Sequence, residues 1–206
     1  MADVIKITTN KDYHINKMYL DGNFSPIGWS KDGYFAYAEY FEGKPGSCGK
    51  GARDEISAVY IMNTVTDEII EKVTNKDISF EEFWQLEEYK ITAMLKKHNI
   101  ISLPNIELKN IELLEEIYGI RVYFTFNDPE DNYWSAYDSL IVEKNEKSKE
   151  IAELYTAWSV REIIGYYKNP FEDRIVIYVL QTSSEGPAEG LTFYYFFGCH
   201  LNIGFN

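Results

Sequence analysis

The stretch Ile27-Gly28-Trp29-Ser30-Lys31-Asp32-Gly33-Tyr34-Phe35-Ala36-Tyr37-Ala38 carries the pattern from which the architecture follows. An aromatic strand end runs into a short polar turn, and the turn into a strand of aromatic and small apolar residues. Asp-Gly is suited to a tight connection, because glycine takes a positive φ without steric cost. The pattern returns later in the chain. Ile164-Gly165-Tyr166-Tyr167-Lys168-Asn169-Pro170 leads, after Phe171-Glu172-Asp173, into the strand Arg174-Ile175-Val176-Ile177-Tyr178. A second pair of segments also matches: residues 59–70 and 139–152 each read strand, polar turn, strand. Such repetition predicts antiparallel up-and-down ribbons.

Aromatic usage extends that reading. The 206 residues include 17 Tyr, 12 Phe and 4 Trp, mostly in short runs bounded by Gly, Pro, Asn or Asp, and such side chains favour pleated, half-buried surfaces. Strands are expected at Tyr34 to Phe41, Ser57 to Met62, Asp67 to Thr74, Ile120 to Phe126, Ser139 to Glu143, Glu150 to Thr156, Val160 to Tyr167, Arg174 to Gln181 and Leu191 to Phe197. Between Ser79 and Tyr118 the apolar period changes from two to about 3.6. Phe80, Phe83, Trp84, Ile91, Met94, Leu95 and His98 share one face of a helix expected over Phe80 to Lys97. Ser79 is its cap, Glu82 completes a capping box, and Ile78 with Phe83 has the spacing of a hydrophobic staple. Beyond Pro104, residues Ile111, Leu114 and Ile117 predict a short second helix ending at Tyr118, with Gly119 in the left-handed position after it.

The segment Phe24-Ser25-Pro26, followed by Gly28-Trp29-Ser30-Lys31-Asp32-Gly33-Tyr34-Phe35-Ala36-Tyr37, resembles the W-S-x-D-G turn of TolB-type, WD-like β-propeller repeats. It is also similar to the opening of a group of uncharacterised bacterial proteins, many predicted to be secreted, in which one such turn opens a non-propeller domain. The match covers residues 24–41, with an echo at 164–180. In the propeller family Asp-Gly serves the turn and the flanking rings pack between blades, so the resemblance implies a scaffold and carries no catalytic residue. A closed propeller needs at least four blades of four strands, more than this chain offers. The expected fold class is therefore α+β: antiparallel meanders forming two blade-like sheets, with a helical-pair insert at 79–118. The expected organisation is one domain over 1–206, with strand groups at 24–74 and 120–206.

Composition narrows the functional classes. Twenty Lys and Arg against 33 Asp and Glu give a net charge of −13. That balance disfavours a nucleic-acid partner, because the phosphate backbone would be repelled. No window reaches the ~18 consecutive apolar residues of a membrane span. Without a basic flank and apolar run at the start, the default compartment is cytoplasmic, or extracytoplasmic if a leader has been removed. Cys48 and Cys199 are read either as two thiols or as one disulfide closing a long loop.

Each candidate chemistry is weighed by spacing. The loop Gly43 to Gly51 lacks the Walker pattern, because Lys44 stands five residues before Gly49 and Gly51 follows Lys50. His14, His98 and His200 come with no metal-ligand spacing, and Cys199-His200 is the one adjacent Cys-His pair, so neither a metal nor a cofactor is expected. Adjacent acids such as Asp54-Glu55 and Glu172-Asp173 follow from abundance. The segment from Phe126 to Asp138 differs: Asp128, Asp131, Tyr133 and Trp134 combine carboxylates with rings in an expected loop, a mixture that stacks on and hydrogen-bonds an uncharged polar ligand. Residues 183–190 read as a hairpin connection.

The functional expectation is a non-enzymatic recognition or scaffold protein, with a polar small molecule or a protein as partner and a second copy of the chain covering an aromatic edge. The alternatives are a carbohydrate-binding module, or a hydrolase built on Cys48 or Cys199 with His200, or on Asp128 and Asp131.

Overall fold

A computed structural model describes residues 23–41, 56–127, 137–155, 159–183 and 192–205. In chain order these residues form β1 (Asn23–Trp29), β2 (Tyr34–Phe41), β3 (Ile56–Asn63), β4 (Glu68–Lys76), α1 (Phe80–Lys97), β5 (Ile101–Ser102), α2 (Glu112–Tyr118), β6 (Ile120–Asn127), β7 (Tyr137–Lys144), β8 (Lys147–Tyr155), β9 (Ser159–Lys168), β10 (Arg174–Ser183) and β11 (Thr192–His200). Strand pairing between these elements is antiparallel, and the sheets are open. Three sheets form where the sequence suggested two: β4-β3-β2-β1-β5, β11-β10-β9 and β6-β7-β8. The second strand group splits because its two meanders supply separate faces of one core instead of continuing a single ladder. The chain divides into two compact units, Met1–Ile106 and Glu107–Asn206.

In the first unit, strand alternation turns Ile27, Ala36, Ala38, Val59 and Ile61 to one face, where they meet Phe80, Phe83, Trp84, Ile91, Met94 and Leu95 of α1. Each large side chain buried there contributes about 1.5–3 kcal/mol. The helix starts where its cap dictates, with Ser79 Oγ accepting from the Glu82 amide at 3.2 Å, and acidic Glu81 and Glu82 open it while Lys96 and Lys97 close it. Its end is tied to β4 through Glu71, which accepts from Lys97 Nζ and pairs with His98 Nε2, both at 2.7 Å. These two partners hold the Glu71 carboxyl below its ordinary range. The opposite face of the sheet is also buried: Trp29 lies 4.5 Å from Phe35 between ring centroids, and Tyr37 stacks on Tyr60 at 5.0 Å.

In the second unit, α2 and two sheets share one core. Leu114, Ile120, Leu140, Val142 and Leu154 face Tyr166, Ile175, Ile177, Val179 and Cys199. The helices therefore join different cores instead of one insert, since the apolar face of α1 is fully used by the first sheet. Gly119 ends α2 at φ 63°, as its place in the sequence predicts.

The repeat seen in the sequence has a counterpart in backbone geometry. Ser30 N donates to Tyr34 O and Asn169 N to Arg174 O, each at 2.9 Å across its turn. Both side chains are buried and cap the same way: Ser30 Oγ accepts from Asp32 N at 3.1 Å, and Asn169 Oδ1 from Phe171 N at 2.8 Å. The residue that follows the third strand then closes on the one before the second, Thr64 N on Gly33 O at 3.1 Å and Leu201 N on Asp173 O at 2.8 Å. β1-β2-β3 and β9-β10-β11 are thus one three-stranded module used twice. Each first strand carries a register shift and a glycine pressed by an incoming carbonyl. A Cβ on Gly28 would stand 2.2 Å from Ile101 O, and one on Gly165 would stand 2.4 Å from Lys109 O.

Alanine at either position must push an incoming strand away, so Gly28→Ala and Gly165→Ala are expected to cost toward the upper end of roughly 1–3 kcal/mol. Gly119→Ala meets no atom within 4 Å and should cost only left-handed strain, about 1 kcal/mol. Urea unfolding of the three variants checks the ranking.

Candidate functional site

The ladder positions of the second unit bring polar side chains to one end of its core. β6 ends at Asn127, opposite the start of β7 at Tyr137, and β10 ends at Ser183, opposite the start of β9 at Ser159. Asp138 follows Tyr137 and shares the inward parity of Leu140 and Val142, while Arg161 stands opposite Gln181 on the neighbouring sheet. Strand order thus forces two charges inward, and they pair with each other: Arg161 Nη1 donates to Asp138 Oδ2, with side chains only 5% and 6% exposed. The guanidinium lies over the Phe124 ring, its Cζ 5.7 Å from the centroid. Gln181 Nε2 donates to Ser159 Oγ at 2.9 Å. Arg161 Nε is buried with no hydrogen-bond partner among the described residues, so this guanidinium retains donor capacity toward them.

A second polar group sits in the first unit. Glu39 lies opposite Phe24 and Ala58, beside the Tyr37–Tyr60 stack. Burial pushes its carboxyl above the ordinary value, opposed by a hydrogen bond from Tyr60. Burial also drives the hydroxyls of Tyr37 and Tyr60 upward, assisted by the Glu39 charge. A carboxyl whose proton is held this way can donate as well as accept.

The residues singled out from sequence fall in different places. Asp128, Asp131, Tyr133 and Trp134 lie outside the described residues, as do His14 and Cys48. The described residues that border them, Asn127 and Tyr137, pair directly, and Asp138 closes the quoted segment. His98 is spent on Glu71 and meets the Tyr34 ring edge-on at 5.4 Å. Cys199 and His200 are adjacent in sequence yet separated by strand alternation: Cys199 stands opposite Ile175 inside the core, His200 opposite Arg174 on the other face. Among the described residues, no group of three or more His, Cys, Asp and Glu is placed to hold a metal ion. Among them, no helix is long and apolar enough to cross a membrane.

No family model, curated protein or solved structure matches the chain.

Sequence reasoning passed over Arg161 and Glu39. Each sits on the inward parity of an apolar strand, and that was the available signal, because a charge at such a position must be paired or neutralised once buried. The pairing itself could not be read, since Asp138 and Arg161 are 23 residues apart on different sheets.

Two outcomes are expected. Arg161→Met alone should cost about 3–5 kcal/mol by stranding Asp138, whereas the double variant with Asp138→Leu should recover most of it, as read by urea unfolding. Glu39 holds its proton more tightly folded than unfolded, so its contribution is full below 4.5 and lost as the pH rises through the folded value. Glu39→Gln should therefore raise the melting temperature at neutral pH, with the gain shrinking toward zero below 4.5.

Proposed function

We propose that this chain is a non-enzymatic recognition protein built on a repeated three-stranded scaffold, and that it binds an uncharged polar ligand at the Asp138–Arg161 end of its second unit. The reading rests on one observation: the buried Arg161, whose Nε donor has no partner among the described residues, lies at the strand ends that border residues 128–136. Asp138 neutralises the guanidinium, which leaves a directional donor without net charge to offer an anion. Asp128, Asp131, Tyr133 and Trp134 would add the stacking rings and carboxylates with which neutral hydroxyls are recognised.

Buried polar side chains elsewhere favour the scaffold part of the reading. Ser30, Thr64 and Asn169 are committed to closing turns, and Ser57 Oγ donates to Ile78 O at 3.2 Å. The propeller-like turn at 24–41 supports the same conclusion, as a device that sets strand geometry. A carbohydrate version of the ligand is favoured by the rings that Tyr133 and Trp134 bring to the adjoining stretch of sequence, because flat rings stack on sugar faces.

A panel of neutral mono- and disaccharides, read by NMR shift perturbation on the full chain, tests the proposal. Binding is expected to perturb the amides of Asp138 and Arg161 and to be lost in Trp134→Ala. Reproducible turnover of a hydrolase substrate panel, abolished by Asp131→Asn or Cys199→Ala, would establish an enzyme instead.

A further inference from the structure

The segment that follows β11 is held by two lysines in a manner that strand pairing does not require. The β7–β8 hairpin turns at Asn145 and Glu146, both with positive φ (52° and 64°), the geometry of a two-residue hairpin. The turn presents Lys144 and Lys149 to the chain end. Lys144 Nζ donates to Leu201 O at 3.0 Å and to Asn202 Oδ1 at 2.7 Å. Lys149 Nζ donates to His200 O and, at 2.7 Å, to Ile203 O, and it lies 4.3 Å from the centroid of the Phe205 ring. Beneath these contacts Leu201 is buried in the core and Phe205 packs against it. Asp173 completes the grip, accepting from Leu201 N through its carbonyl at 2.8 Å and from Asn202 Nδ2 through its carboxylate at 2.9 Å.

One contact in this set depends on a titratable ring. Asn202 N donates to His200 Nδ1 at 3.1 Å, so that nitrogen must carry a lone pair and the neutral ring its proton on Nε2. We propose that Leu201–Phe205 is an acid-released clasp, closed while His200 is neutral and opened when Nδ1 takes up a proton. Protonation replaces the acceptor by a donor facing the Asn202 amide, and it adds a positive charge to a place already crowded with them.

The charged groups around the ring set the direction. Arg174 stands directly opposite on β10, and Lys149 reaches in from β8, with Lys144 on the same chain end. Glu172 and Asp173 oppose them from the β9–β10 turn, but both are engaged: Glu172 Oε1 accepts from Arg174 Nε at 3.1 Å, and Lys168 Nζ lies 3.4 Å from Asp173 Oδ1. Burial, followed by Arg174, holds the imidazole below its ordinary 6.5. The unfolded chain then binds the proton more readily than the closed one. The clasp's contribution is therefore complete above 6.5 and declines as the pH falls, with the open-to-closed ratio rising by up to about tenfold per pH unit between the two pKa values.

The experiment follows amide hydrogen exchange of residues 200–205 in the full chain, corrected for intrinsic rates, alongside the His200 ring titration by NMR. Protection of Asn202 and Ile203 is expected to begin falling near 6.5 and to level off once the ring, whose own midpoint lies below 6.5, is protonated, while amides of Leu140 to Val142 stay protected. His200→Asn keeps a side-chain oxygen acceptor without a titrating group, so its clasp should stay closed through the same range. Lys149→Gln should loosen the segment at every pH. Protection that is flat across the wild-type ring titration, or pH-dependent release that persists in His200→Asn, would overturn the proposal.

Discussion

Sheets buried on both faces cannot leave a polar group to water, and that constraint organises the molecule. The first sheet is covered on one face by α1 and carries buried Trp29, Phe35 and Met62 on the other. Every interruption in such a ladder must be closed by the chain itself, at a cost of about 1–3 kcal/mol for each group left unmet. Ser30 and Asn169 meet that demand at equivalent turns, each with a side-chain oxygen serving amides that the turn would otherwise strand. Repetition of the module is therefore a matter of hydrogen-bond closure more than of residue identity: Ser30 and Asn169 differ in chemistry and in spacing to the next strand, yet do the same thing.

The same constraint decides where charge can sit. Asp138 and Arg161 tolerate an apolar core because they neutralise each other, and Phe124 supplies a ring face for the guanidinium. Among the described residues no cation is paired with Glu39, and burial acts on its proton instead. The two arrangements are the two ways a buried carboxyl is accommodated: one keeps its charge through a partner, and the other is driven toward giving it up.

Features encoded locally were legible in the sequence. α1 spans Phe80–Lys97 as its cap and apolar period specify, and β2 spans Tyr34–Phe41, because cap chemistry and alternation act within a few residues. In the sequence β1 reads only as a strand end. Pro26 and Gly28 read as breakers, and in the structure they flank a register shift that tolerates both. β5, two residues long, exists only because Gly28 lets it approach. The partition of 79–118 between two cores was hidden, since periodicity marks a helix's apolar face without naming what covers it. The candidate loop was recognised from composition, whereas the ion pair beside it depends on tertiary register.

Strand alternation also settles the behaviour of the second cysteine. Cys199 is 1% exposed, directed among Ile175 and its neighbours, with Sγ 3.6 Å from the His200 carbonyl. Oxidants and alkylating reagents can reach that sulfur only during transient breathing of the surrounding strands. Its reaction rate is thereby a clock for local opening, set by the fold and largely indifferent to the nucleophilicity of the thiol.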